Sequence, residues 1–309
     1  MVKAADRARD IGATAIQVFG DNPTSWRRRP EPPREAPAFR GRLADHGIGP
    51  VAVHAAYLVN LAGPEDDLYE RSIDLLVAEM CAARAFAGRF VNVHVGSHRN
   101  TSVEAGIARV AIGVERVFAA LDDSASADEP PPQLVLENSA GGGWAIGVTV
   151  AELAQLAEAV AARGVPRDRV GFCLDTAHLW GAGHEISRPE VVERLLDDFE
   201  AAVGLDRLSM IHLNDSKAEL GSRADRHEHI GAGRIGPQGL GHLLRSARIA
   251  TVPVYLETPG MDLGYDAVNL ARARALMAGE PLEPLPPDAL TIKGSRARGA
   301  EPAEPVEPE

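Results

Sequence analysis

Cysteine is nearly absent from this 309-residue chain, with only Cys81 and Cys173. That count excludes a disulfide framework, which needs several paired cysteines. Lysine is almost as rare: Lys3, Lys217 and Lys293 are the only three among 32 basic residues. Long apolar runs are missing too, since none approaches the roughly 20 residues needed to cross a bilayer. The opening Met1-Val2-Lys3-Ala4-Ala5-Asp6-Arg7 is charged and lacks the apolar stretch of a secretory signal. A cytoplasmic protein without a membrane span is therefore expected.

Positive charge is also in deficit, the formal net charge being −12. Taken whole, this argues against nucleic acid, whose phosphates are met by Lys and Arg. Its distribution reverses that conclusion. The Ser/Ala/Pro loop at 122–132 and the stretch from Glu280 each hold a net −4, which leaves −4 on the body. Three bound divalent cations would bring the body to about +2. DNA is thus not excluded, and acidity confined to a loop and a tail serves solubility.

What the chain does have is repetition. Apolar, β-branched runs recur at 13–19, 50–54, 90–94, 133–137, 170–175, 208–212 and 252–257, and they read as buried parallel strands. Ala- and Leu-rich segments of helical period lie between them, among them 68–87, 103–120, 150–162 and 189–203. Strand followed by helix, repeated, predicts an α/β fold of the TIM (β/α)8 barrel type over residues 1–279. Such a barrel has eight strands, but residues 2–11 already read as the helix leading into the run at 13–19. The first strand is expected to be lacking in this chain, with a native start upstream. Residues 280–309, an acidic Pro-rich tail, and the loop 122–132 are expected to be disordered.

Six of the seven runs end on or beside a residue of metal-ligand type. In chain order the series is His54, His94, Glu137, Asp175, His178, His212, Asp225, His227 and Glu257. Active sites of barrels lie at the C-terminal ends of strands, so these residues should converge on one face. Five imidazoles and four carboxylates without a thiolate suit borderline ions such as zinc, and nine ligands are too many for one ion. Asp225-Arg226-His227 on an extended segment puts acid and imidazole on one side, as a single ion requires. Asp175 and His178, separated by a turn, are expected to face different ions. Glu137 ends a strand before a glycine-rich loop, and its two oxygens could bridge ions about 3.5–4 Å apart.

The blocks His54-Ala-Ala-Tyr57-Leu-Val-Asn60, Asn92-Val-His94-Val-Gly-Ser97-His98, Leu136-Glu137-Asn138-Ser-Ala-Gly, Cys173-Leu-Asp175-Thr-Ala-His178, His212-Leu-Asn214-Asp215-Ser-Lys217, Gly221-Ser-Arg223-Ala-Asp225-Arg226-His227 and Leu256-Glu257-Thr258 occur in this order. In combination they resemble the endonuclease IV family of apurinic/apyrimidinic endonucleases, over residues 1 to about 275. The resemblance implies three zinc ions per chain, with manganese an alternative at one site. His54, His94 and Glu137 would hold one ion. Glu137, Asp175, His212 and Glu257 would hold a second, and Asp225, His227 and His178 the third, with Glu137 the central catalytic carboxylate. It implies hydrolysis of the phosphodiester 5′ to an abasic site, leaving a 3′-hydroxyl and a 5′-deoxyribose phosphate. The partner would be double-stranded DNA with abasic or 3′-blocked lesions, and the working unit a monomer.

Lys217, the one lysine within these blocks, is expected to contact a phosphate, with Asn214, Ser216, Arg223 and Arg226 as further DNA-facing candidates. Tyr57 would fill the space around a flipped-out abasic nucleotide. The loop Asp21-Asn22-Pro23-Thr24-Ser25-Trp26 departs from the family, which often carries a long polar side chain near Thr24, and Val95 stands where a proline is usual. Two other readings remain open at this point. A metal-dependent sugar isomerase or epimerase needs only one or two ions, and a non-catalytic damaged-DNA binder needs no complete ligand set.

Overall fold

The computed structural model describes residues 1–28, 33–123 and 131–292. Seven parallel strands form one sheet: β1 (Ile16–Phe19), β2 (Val51–His54), β3 (Gly88–His94), β4 (Gln133–Glu137), β5 (Val170–Asp175), β6 (Leu208–His212) and, last in the sheet, β9 (Val254–Tyr255). A two-stranded antiparallel hairpin, β7 (Asp215–Ser216) with β8 (His227–Glu228), stands between β6 and β9 in the chain. The helices are α1 (Val2–Asp10), α2 (Ala36–His46), α3 (Asp66–Ala85), α4 (Val103–Asp123), α5 (Val150–Ala162), the short α6 (Thr176–Gly181), α7 (Pro189–Ala202), α8 (Gly236–Leu244) and α9 (Tyr265–Ala278). None among the described residues is long and apolar enough to cross a membrane.

Neighbours in the sheet are also neighbours along the chain, as strand–helix repetition dictates. The result is a TIM barrel lacking one strand, with β1 and β9 as its two edges. The strands are continuous apolar runs because both faces are covered, by helices outside and by packed side chains within. Local signals fix the helix ends. Thr149 accepts from Glu152 N at α5 while the Glu152 carboxylate takes Gly147 N and Val148 N, a reciprocal cap. Gly47, at φ 65°, ends α2 in the left-handed conformation that favours glycine.

Two expectations need correction. Asp122 and Asp123 belong to α4, where Asp122 pairs with Arg169 at 2.8 Å; residues 124–130 lie outside the described residues. The folded unit also runs past residue 279. His229 Nε2 lies 3.2 Å from Ala289 O, Tyr265 Oη donates to Asp288 at 2.8 Å, and Ala289 is buried. Composition hid this because so few side chains anchor the segment: Leu282 packs on the core, Asp288 and Ala289 make single contacts, and the rest of the hold is on backbone carbonyls. Residues 293–309 lie outside the described residues.

Candidate metal centre

Alternation along the strands builds the site. The barrel interior is packed by Ala52, Phe90, Val135, Cys173, Met210 and Tyr255, with Ala15 against them. Two residues further on, each strand turns a polar side chain the same way: His54, Asn92, Glu137, Asp175, His212, Glu257 and Gln17. His94 follows Asn92 by the same step and is partly open, 42% of its side chain being exposed. His178 comes from the first turn of α6, where the Asp175 side chain caps its N–H at 2.8 Å. The β7–β8 hairpin delivers Asp225 and His227 from above.

Glu137, 1% exposed, is the hub. Its Oε2 lies 3.6 Å from His54 Nε2 and 3.4 Å from His94 Nε2, while Oε1 lies 3.1 Å from His178 Nδ1 and 3.3 Å from His212 Nδ1. His212 Nδ1 is also 3.2 Å from Glu257 Oε2 and 3.9 Å from Asp175 Oδ2. Asp225 sits between His178 Nε2 at 3.2 Å and His227 Nε2 at 2.9 Å. Three groups have ligand atoms mutually within 4.8 Å: His54, His94 and Glu137; Glu137, Asp175, His212 and Glu257; and Asp175, His178 and His227. Asp175 reaches two of these neighbourhoods, that of His212 and that of His178.

Backbone carbonyls fix three of the rings. Nδ1 of His54 meets Ala55 O at 2.7 Å, that of His178 meets Asn138 O at 2.9 Å, and that of His227 meets Glu257 O at 2.9 Å. A carbonyl can only accept, so each Nδ1 carries a proton and Nε2 is the nitrogen each ring presents to the cluster, available to a metal once its own proton is lost. The carboxylates are oriented as well. Asn92 donates to Glu137 Oε2 at 2.5 Å, and Asn214 donates to Asp175 Oδ2 at 2.6 Å.

Burial opposes charge on Glu137, Glu257, His178, His212, His227 and Asp225, yet their mutual attraction prevails. Desolvation pushes the Glu137 carboxyl up, but the neighbouring imidazoles of His212, His94 and His178 outweigh it and hold the group well below its usual range. Glu257 is lowered by His212 and His54 against the same opposition. His178 and His212 are raised well above the ordinary imidazole value by their acidic neighbours despite burial. For His227, burial pulls down but Asp225 wins, to about 9. Asp225 is in turn held low by His178 and His227.

The donor set fits divalent metal. It is nitrogen and oxygen only, since burial pushes the Cys173 thiol up to about 12 within the barrel interior. Buried His227 Nε2 lies 2.9 Å from Asp225 Oδ1 without a well-directed hydrogen bond to it, so this nitrogen is not committed to Asp225.

The DNA-facing candidates divide. Tyr57 is 52% exposed, with its ring 5.8 Å from that of His54 and 6.4 Å from that of His94. Lys217 is partly exposed, 3.7 Å from Glu228, while Arg223 and Arg226 are exposed on the hairpin loop. Asn214 and Ser216 are corrected: both are fully buried and cannot meet a strand. Asn214 spends its amide on Asp175 and on Glu257 N, and Ser216 Oγ accepts from Ala218 N. Gln17, Asn92 and Asn138 were missed, because amides are not metal-type residues; the two-residue step beyond the interior positions would have found the first two.

Residues 5–282 match the family described as xylose isomerase-like TIM barrel. The chain is 38% identical over 274 residues to the protein named "Probable endonuclease 4" of Methanoculleus marisnigri, covering 89% of this chain and 94% of that one. The crystal structure of endonuclease IV from Thermus thermophilus superposes with a TM-score of 0.76 at 35% identity, covering 90% of this chain and 94% of that one. The chain belongs to the endonuclease IV family. D-psicose 3-epimerase from Clostridium cellulolyticum H10, at 12% identity and a TM-score of 0.61 over 89% of this chain and 93% of that one, shares the fold alone.

Proposed function

We propose that this chain hydrolyses the phosphodiester on the 5′ side of an abasic site in duplex DNA, leaving a 3′-hydroxyl and a 5′-deoxyribose phosphate. The observation that carries this reading is the division of one carboxylate: Glu137 turns one oxygen to His54 and His94 and the other to His212, which also faces Asp175 and Glu257. That arrangement suits a ligand shared between ions rather than a one-ion site, and paired ions are a device of phosphodiester hydrolysis. His54, His94 and Glu137 would hold one zinc; Glu137, Asp175, His212 and Glu257 a second; His178, Asp225 and His227 a third, with manganese an alternative at one position. When bound, such ions activate water and stabilise negative charge on the departing oxygen.

The chain's own residues supply orientation. Asn92 and Asn214 hold the Glu137 and Asp175 carboxylates, and the carbonyls of Ala55, Asn138 and Glu257 hold three rings. Tyr57 would pack against the sugar of an everted abasic nucleotide beside His54 and His94. Lys217, Arg223 and Arg226 would meet strand phosphates. The partner is duplex DNA with abasic or 3′-blocked lesions, the working unit a monomer and the compartment the cytoplasm. The test is incubation of the purified protein with a duplex carrying one abasic site, with metal content measured on the same sample. Incision 5′ to the lesion with close to three zincs per chain supports the reading. Three ions without incision favour a damaged-DNA binder, and one or two ions with ketose turnover favour an epimerase.

A further inference from the structure

We propose that Gln17 is a positioning residue of this centre, fixing the tautomer of His212 and the orientation of Glu257 across the open edge of the barrel. The inference rests on the metal-bearing reading above. Gln17 Nε2 donates to Glu257 Oε1 at 2.7 Å, and Gln17 Oε1 faces His212 Nε2 at 2.9 Å. Only one setting of the amide satisfies both partners, because a carboxylate accepts and the amide oxygen cannot donate. His212 must therefore carry its proton on Nε2, which leaves the Nδ1 lone pair directed at Glu137, Asp175 and Glu257. In the same stroke Glu257 Oε1 is engaged and Oε2, 3.2 Å from His212 Nδ1, stays free for a ligand.

His212 is the exception among the oriented rings. His54, His178 and His227 have their protonated nitrogen fixed by a backbone carbonyl, whereas His212 relies on a side chain. The position of that side chain follows from the strand step: Gln17 lies two residues beyond Ala15, as Glu257 lies beyond Tyr255 and His212 beyond Met210. β1 and β9 are the two edges of the sheet and share no ladder. Where the sheet gives no backbone connection, Gln17 from β1 links to the residue that ends the β9 run.

The experiment compares wild type with Gln17→Leu, which keeps approximate volume and loses both bonds, and with Gln17→Asn, which stays polar but is too short to span both partners. Zinc per chain is counted after dialysis against a competing chelator, zinc release is followed with a chromophoric chelator, and 15N-histidine spectra report the His212 tautomer. The expected result is that the variants release one of three zincs about 10- to 100-fold faster, the usual effect of losing an outer partner of a ligand. The His212 signal should shift from a single Nε2–H tautomer towards a mixture, while the melting temperature of the metal-free protein stays at the wild-type value. Wild-type release from both variants overturns the proposal and leaves the metal reading standing. Equal loss of all ions with a lowered metal-free melting temperature also overturns it, since the role is then merely structural. A wild-type protein that binds no zinc removes the reading and the proposal together.

Discussion

Glu137 meets four imidazoles through two oxygens, so replacing one oxygen with an N–H donor must break contact with one side. Glu137→Gln is expected to lower incision of an abasic duplex by at least about 100-fold with an unchanged circular dichroism spectrum; activity within a few-fold of wild type would refute a shared ligand. Lys217 makes a different contribution. Its ammonium is partly exposed and only loosely paired with Glu228, so Lys217→Ala should weaken duplex binding alike for all sequences and reduce the slope of log affinity against log salt by about one. An unchanged slope would place Lys217 off the strand. The imidazoles and carboxylates that gather around Glu137 were legible because such residues at the ends of apolar runs are conspicuous. Asn214 and Ser216 were misjudged because a motif says which residues travel together, not which way they face, and both face inward.

Among the elements, the β7–β8 hairpin depends most on a single residue. It carries His227, and Asp225 and Lys217 lie on its connecting loop, yet its strands are only two residues long. Asp215 compensates. Its buried carboxylate accepts from Ser216 N at 2.8 Å, Gly233 N at 3.0 Å, Ile235 N at 3.0 Å and Gly236 N at 3.2 Å, tying the hairpin to the start of α8. Burial raises this carboxyl, and the four amides draw it back. Close approach requires glycine at 233, where a Cβ would lie 2.5 Å from Asp215 Oδ1. Asp215→Ala strands several buried N–H groups and should cost about 1–3 kcal/mol in denaturant unfolding. Loss of less than a few tenths would show that water replaces the carboxylate. Seven strand runs were legible, but their lengths were not: of the run at 252–257 only Val254 and Tyr255 enter the ladder, whereas the other edge, β1, pairs over four residues.

At the scale of the whole molecule, four carboxylates and five imidazoles are gathered at one end of a barrel that lacks a strand. The ligands come from β2, β3, β4, β5, β6, the second residue after β9, α6 and the hairpin, so a metal held there ties most of the sheet together. Such a link matters more where the open edge is bridged by side chains, Gln17 of β1 to Glu257 and Tyr255 Oη of β9 to Pro50 O just before β2 at 3.1 Å, than it would in a closed ladder. An ion that binds only the folded state stabilises it by RT ln(1 + [L]/Kd), about 2.7 kcal/mol at a hundredfold excess over Kd. For a chain of this size each kcal/mol moves the midpoint by roughly 2–4 °C. Removing metal with a chelator should therefore lower the melting temperature by several degrees, and added zinc should restore it. Because the ligands must shed protons to bind, and His178, His212 and His227 are all raised in the metal-free cluster, zinc loading near neutral pH should also release protons into weak buffer. A melting temperature indifferent to chelator, with no proton release, would mean that the cluster balances its own charges and holds no ion.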